Sequence, residues 1–373
     1  MKSQIVFLSG LNGVRTFAAL GVLFSHINLA LVNFGIKDFS LFGFTKDGHA
    51  KDWSLGAHGV KMFFVLSGFL ITFLLLKELE KTDTIAVKKF YIRRILRIWP
   101  LYFLYIILTL NLLGKYIDID FNLIYYITFF ANIPFVQNHS YTDMDHLWSI
   151  GVEEQFYLFG PLLFLFAVRK NLFIGLIISI IITLMVCRVC VWHFFPYSEI
   201  ALFSVVNRFD CMLFGALGAY LFFKNSRLIA ILNSHIFQYL SWGIITLLIL
   251  CRFKVINYMV EVNIIEFVTL AIIIGQVNVK NPVINLENQL FTYVAKLSFG
   301  IYVYHALVLL LFSNYLDFKL FHLNSLNVII IFVSVFCTSL IVSHISYFYF
   351  ERWFLDRKIK FSIVESSNTK VVN

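Results

Sequence analysis

The sequence predicts an all-α, polytopic integral membrane helix bundle of about ten transmembrane helices, with both termini cytosolic. Three observations carry the prediction. Of 373 residues, 60% are hydrophobic and only 14% charged, and the mean hydropathy is +0.83, far from the balance of a soluble domain. The apolar residues gather into runs near the roughly 20 residues that cross a hydrocarbon core. Lysine and arginine concentrate in alternate loops, as the positive-inside bias requires.

The elements follow in order. Residues 11–32 form the first span; apolar sequence continues past Ala30 without a small-residue cleavage site, so the segment is expected to be retained rather than removed as a signal peptide. Further spans are expected at 58–76, 98–114, 148–167, 171–192, 205–223, 236–251, 259–276, 290–313 and 327–350. The run Phe121–Phe135 is apolar but short and contains Pro134, which makes it interfacial or re-entrant. Counting it as a span would reverse every later loop and place the basic segment "ERWFLDRKIK" outside. No soluble domain, repeat or low-complexity linker is visible. Residues 1–355 therefore form one transmembrane domain, followed by a short cytosolic tail at 356–373.

The net charge of +9 serves orientation in the bilayer and does not call for nucleic acid. Cys187 and Cys190 form a C-x-x-C, but inside an apolar run and without a second pair, so no metal site is expected.

Chemistry must then come from polar residues at membrane depth, which are costly there and default to function. Arg15 and His26 stand eleven residues apart in the first span. Three helical turns leave them on one face, separated by about 16 Å. Toward the cytosol, Arg93, Arg94 and Arg97 of "FYIRRILRIWPLYF" and Lys296 make a cationic layer. Toward the outside lie His26, Glu153 and Glu154 of "HLWSIGVEEQFYLFGPLL", Arg208 and Asp210 of "NRFDCMLFGALGAYL", and His305 of "LSFGIYVYHALVLLL".

Two such layers suit a reaction that draws on both compartments. Inner cations, Arg15 among them, would hold the phosphates of a cytosolic cofactor. A histidine about 16 Å deeper could act as general base on an acceptor hydroxyl, with Glu153 or Glu154 orienting the imidazole or stabilising its charged form. The extended pantetheine arm of coenzyme A has about that reach, so acyl-CoA is the expected donor substrate and no permanently bound cofactor is expected. Arg208, Asp210, His305 and Trp148 are candidates for the acceptor side. Blander readings stand beside these. Positive-inside anchoring explains the arginines equally well, Arg15 could snorkel, and His305 could be a packing residue. Either glutamate could pair with Arg208, and Trp148 could be an interfacial aromatic or a sugar platform.

Taken together, "LNGVRTFAALGVLFSH", "GVKMFFVLSGFLIT", "RRILRIWPLYF", "HLWSIGVEEQFY", "NRFDCMLFGALGAYL", "LSFGIYVYH" and "YFYFERWFL" resemble, in that order, the membrane-bound acyltransferase 3 family of bacterial O-acyltransferases. The resemblance implies transfer of an acyl group, commonly acetyl, from cytosolic acyl-CoA to an extracytoplasmic glycan or lipid-linked sugar at the bacterial cytoplasmic (inner) membrane. It makes Arg15 and His26 the essential pair. It adds Ser67 and Gly68 of "VLSGF", the three arginines, and Glu153 or Glu154 as further site residues. The chain departs from the family pattern at Asn12, usually aspartate, and at Lys61, usually acidic. Some members append a soluble esterase-like domain; none is visible here, so the bundle is expected to act alone or with a separate partner.

Two other classes meet the same constraints. A transporter or flippase for a glycan precursor also needs polar groups at depth, and a haem protein could use His26 and His305 as axial ligands.

Overall fold

The computed structural model describes residues 4–37, 39–41, 43–44, 54–113, 120–250, 258–278, 282–316 and 323–367. It is an all-α bundle fastened at one end by a single pair of short strands.

Strand β1 (Gln4–Phe7) leads into α1 (Leu11–Ala30), α2 (Ser54–Thr82) and α3 (Val87–Leu113). Two five-residue helices follow, α4 (Leu123–Ile127) and α5 (Asn132–Val136), and then α6 (Leu147–Arg169) and α7 (Phe173–Phe194). Next come α8 (Glu199–Val206), α9 (Phe209–Phe223), α10 (Arg227–Leu232), α11 (His235–Ile249) and α12 (Tyr258–Asn278). The chain closes with α13 (Gln289–Tyr315), α14 (Asn324–Ser346), a π-helical turn at Tyr347–Glu351, α15 (Arg352–Ile359) and β2 (Val364–Ser367). Among the described residues, nine helical segments are long and apolar enough to cross a membrane, and α11 is a shorter apolar helix.

The expected spans reappear with instructive differences. Helix α3 begins at Val87, so Arg93, Arg94 and Arg97 lie inside the helix rather than ahead of it. The span expected at 205–223 is broken: α8 ends at Val206 and α9 starts at Phe209 with Arg208 as its cap. Asp210 sits in the first turn of α9, where the positive end of the helix dipole favours a carboxylate. The segment 121–135 does not cross. Phe129 takes a left-handed φ of 63° between α4 and α5, and Gln155 of α6 donates to both the Phe129 carbonyl (2.9 Å) and Asn132 Oδ1 (2.9 Å), pinning the segment onto the bundle. The described part of the expected tail, to residue 367, forms the end of α15 and β2, and β2 pairs in parallel with β1, Gln4 opposite Val364.

Helices α1, α2, α9 and α13 form the centre, and α7 and much of α14 present apolar side chains outward, as lipid contact requires. The tightest approach is α2 on α9. A Cβ on Gly68 would lie 1.9 Å from the Met212 carbonyl oxygen, and one on Gly215 would lie 2.0 Å from that of Val65. Close backbone contact through small residues is how membrane helices gain dispersion energy without a hydrophobic drive. Gly68 therefore serves helix packing, while its neighbour Ser67 turns to the interior.

Candidate active site

Three cavities follow one another through the bundle. The first, a vestibule of about 270 Å³ beside the paired strands, is lined by Arg15, Arg93, Arg94, Arg97, Lys296 and Lys358, with Glu351 and Asp356 as its acids. Arg15, Arg94 and Arg97 also line the second, a central cavity of about 120 Å³. One cationic surface thus runs from the vestibule into the bundle. The third is a cleft of about 370 Å³ that contains His26, Phe135, Asp143, Asp145, His146 and Trp148. Arg15 and His26 therefore sit at opposite ends of this series, as their spacing along α1 requires.

Each arginine of α3 has its own task. Arg93 donates to Glu78 Oε2 (3.2 Å) and to the Phe361 carbonyl (2.8 Å), so it binds the C-terminal segment to the vestibule wall. Arg94 stacks over Phe90 (5.4 Å) and Tyr157 (5.3 Å), a cation–π arrangement suited to guanidinium. Arg97 faces both inner cavities with Arg15.

In the central cavity, Ser67 donates to Glu153 Oε1, and the Tyr157 hydroxyl bonds to both Ser67 Oγ and Glu153. Residues 153 and 157 are one helical turn apart on α6, which puts both on the cavity face. Glu154 points elsewhere: its Oε2 accepts from Trp99 Nε1 (2.9 Å), and it is not part of the cavity lining. The two adjacent glutamates are thereby distinguished.

Tyr302 and Ser149 form the partition between the central cavity and the cleft. The Tyr302 hydroxyl donates to the His146 carbonyl (2.9 Å) and meets Ser149 Oγ (2.5 Å). Behind them three imidazoles cluster. His26 Nδ1 lies 2.6 Å from His305 Nε2, and His305 Nδ1 lies 2.7 Å from the Tyr302 carbonyl. A carbonyl only accepts, so in the neutral pair His305 Nδ1 carries the proton, His305 Nε2 is a bare acceptor, and His26 Nδ1 donates to it. His26 Nε2 is then left with a lone pair. The place beside His26, expected for a glutamate, is taken by His305. The two imidazoles thus meet each other directly.

His146 packs edge-on against His305, with ring centroids 5.1 Å apart, and its Nε2 donates to the Val303 carbonyl (3.0 Å). His146 heads the "HLWSIGVEEQFY" stretch and is not among the expected site residues. Its signal is its place directly before α6. Trp148 stacks on Phe135, 5.5 Å between centroids and 23° between planes.

Arg208 and Asp210 lie apart from all three cavities. Arg188 Nη1 reaches Asp210 Oδ2 (2.8 Å), Arg208 reaches both oxygens of Asp210 (3.0 and 2.9 Å), and Arg208 Nη2 reaches Glu266 Oε1 (2.6 Å). All four side chains are buried, so the network closes the broken α8–α9 junction onto α7 and α12. Of the two departures from the family pattern, Asn12 is buried and donates to Thr292 Oγ1 (3.4 Å), and Lys61 is buried in α2.

A polytopic helical bundle that holds a cationic vestibule, a polar central cavity and a histidine-lined cleft defines the class of membrane protein. Its sequence matches the acyltransferase domain family, Acyl_transf_3, over residues 8–347, and the chain belongs to that family. It is 28% identical over 386 aligned positions to a Staphylococcus aureus (strain COL) protein provisionally named an O-acetyltransferase, and equally to its counterpart in strain MSSA476; 95% of this chain and 58% of each relative are covered. The O-acetyltransferase OatA of S. aureus strain NCTC 8325 is 33% identical over 176 positions, 44% of this chain and 26% of that protein. The chain spans about 58% of the length of the first two relatives. No solved structure matches the chain.

Proposed function

We propose that the chain is a membrane O-acyltransferase that moves an acyl group, acetyl in the simplest case, from cytosolic acyl-CoA to a hydroxyl of an extracytoplasmic or lipid-linked glycan, in a bacterial cytoplasmic membrane. The observation that carries this reading is the continuity of Arg15, Arg94 and Arg97 from the vestibule into the central cavity, on the helix face that ends at His26. Family membership and the names of the S. aureus relatives support the acyl chemistry.

In this scheme the vestibule cations hold the donor's phosphates, and the thioester points toward Tyr302, which lines the central cavity and bonds to His146 of the cleft. His26 Nε2 accepts the acceptor's hydroxyl proton as the oxygen bonds to the acyl carbon. The carbon–sulfur bond breaks, and the thiolate leaves as thiol by taking that proton. His305 keeps His26 in the tautomer that leaves Nε2 free. Ser67, Glu153 and Tyr157 line the donor's path, and Trp148 offers the acceptor an aromatic face.

Inside-out vesicles supplied with isotope-labelled acetyl-CoA test this. The wild type should consume it and label glycan, and His26→Ala should lower labelling by about 10²- to 10⁴-fold, the usual contribution of a general base. A His26→Ala protein that inserts normally and labels glycan at the wild-type rate refutes the assignment; a transporter would neither consume the thioester nor label glycan.

A further inference from the structure

We infer that the cleft on the His26 side selects a hydroxyl-rich acceptor that carries no anionic group beside the reacting hydroxyl. This rests on the acyl-transfer reading and adds the substrate class.

The two ends of the polar series have opposite charge. The vestibule sets six cations against two acids, whereas among the described residues the charged side chains lining the cleft are Asp143 and Asp145, with no lysine or arginine. A donor rich in phosphate fits the first end and is repelled from the second.

Three acceptors of the cleft stand open, beside the donor groups of Asn33 and the Trp148 indole. Asp145 Oδ1 is buried and has no partner among the described residues. His146 is 4% exposed; because its Nε2 donates to Val303, its Nδ1 is a bare acceptor, also without a partner. His26 Nε2 is a third acceptor, by the proton order derived above. These groups call for a ligand that brings donors. Vicinal hydroxyls do so, and a carboxylate or phosphate would set a charged acceptor against acceptors. Trp148, stacked on Phe135, supplies the flat apolar face against which the C–H side of a sugar ring rests. A cleft that combines open acceptors with an indole face suits a polyol.

The test uses the full chain in nanodiscs and two oligosaccharides of the same linkage, one neutral and one with a uronic acid in place of the corresponding neutral sugar. Calorimetry gives their affinities, and labelled acetyl-CoA gives their acylation. The neutral sugar should bind and be acylated at least about tenfold better than the uronate. In Asp143→Asn/Asp145→Asn the ratio should fall severalfold toward unity, and because it is a ratio it is insensitive to any loss of folded protein. Equal or better use of the uronate, or binding of neither sugar, overturns the inference. Preferential binding without acylation upholds the cleft's selectivity and counts against the acyl-transfer reading; acylation without preference does the reverse.

Discussion

Replacing His305 by alanine deletes the acceptor that takes the His26 Nδ1 proton at 2.6 Å. His305 is fully buried, so water does not readily replace it. A buried donor left unsatisfied costs about 1–3 kcal/mol. That penalty falls on the tautomer with the proton at Nδ1, the one that keeps Nε2 free for catalysis. The productive tautomer should therefore lose a factor of about 5 to 150 in population, from 1.4 kcal/mol per tenfold. This is less than the loss expected from His26→Ala, so the single variants should rank wild type, His305→Ala, His26→Ala in falling kcat. The KM for acyl-CoA should stay unchanged, because the cationic vestibule lies at the other end of the series. His305→Gln offers an amide oxygen to the same proton and should recover part of the loss. The assay is labelled acetyl transfer in vesicles for the three single variants and the His26→Ala/His305→Ala double variant. If His305 acts through His26, the double variant is no worse than His26→Ala alone. Additive losses, or a His305→Ala rate equal to wild type, would refute the reasoning.

Two further predictions separate neighbouring residues. Glu153→Gln should lower acyl transfer more than Glu154→Gln, because Glu153 bonds to Ser67 and Tyr157 in the central cavity while Glu154 is occupied by Trp99; initial rates on matched amounts of folded protein decide it. Burial raises the carboxyl pKa values of Asp143 and Asp145, and their mutual charge adds to the shift at Asp145. A raised folded-state pKa means the native state binds more protons than the unfolded state between the two values, so these groups oppose folding as pH rises through that window. Asp145→Asn should thus raise thermal stability at neutral pH and leave it unchanged in acid well below the unfolded-state pKa, measured by differential scanning fluorimetry.

Much of this arrangement was legible in the residues, and what was not has a common cause. The eleven-residue interval between Arg15 and His26 fixes face and separation within one helix, so it survives into the structure. The same local logic identified 121–135 as non-spanning. Pairing between distant helices leaves no such mark. Nothing near His26 announces His305 as its partner, 279 residues away, and nothing near Arg208 announces Glu266. Arg93, Arg94 and Arg97 read as one cluster in sequence, yet the geometry gives Arg93 to the Glu78 carboxylate and to the tail, and turns the other two inward with Arg15. Ser67 and Gly68 are adjacent in one motif, and a helical step of about 100° sends one to the cavity and the other to α9. The break at Asn207–Arg208 falls on the polar run "NRFD", which an average over a whole span absorbs because the flanking stretches are strongly apolar.

The strand pair at the ends of the chain imposes an arithmetic on everything between. Hydrogen-bonded partners at Gln4 and Val364 must share one side of the bilayer, so the polypeptide joining them crosses an even number of times. Nine long helices among the described residues are an odd number. The 15-residue helix α11 is the apolar segment left to restore parity, and at about 22 Å it is shorter than a typical hydrocarbon core. With α11 as the tenth crossing, the membrane around it would thin, or the polar flanks of that helix would reach outward, for the ends of the chain to meet.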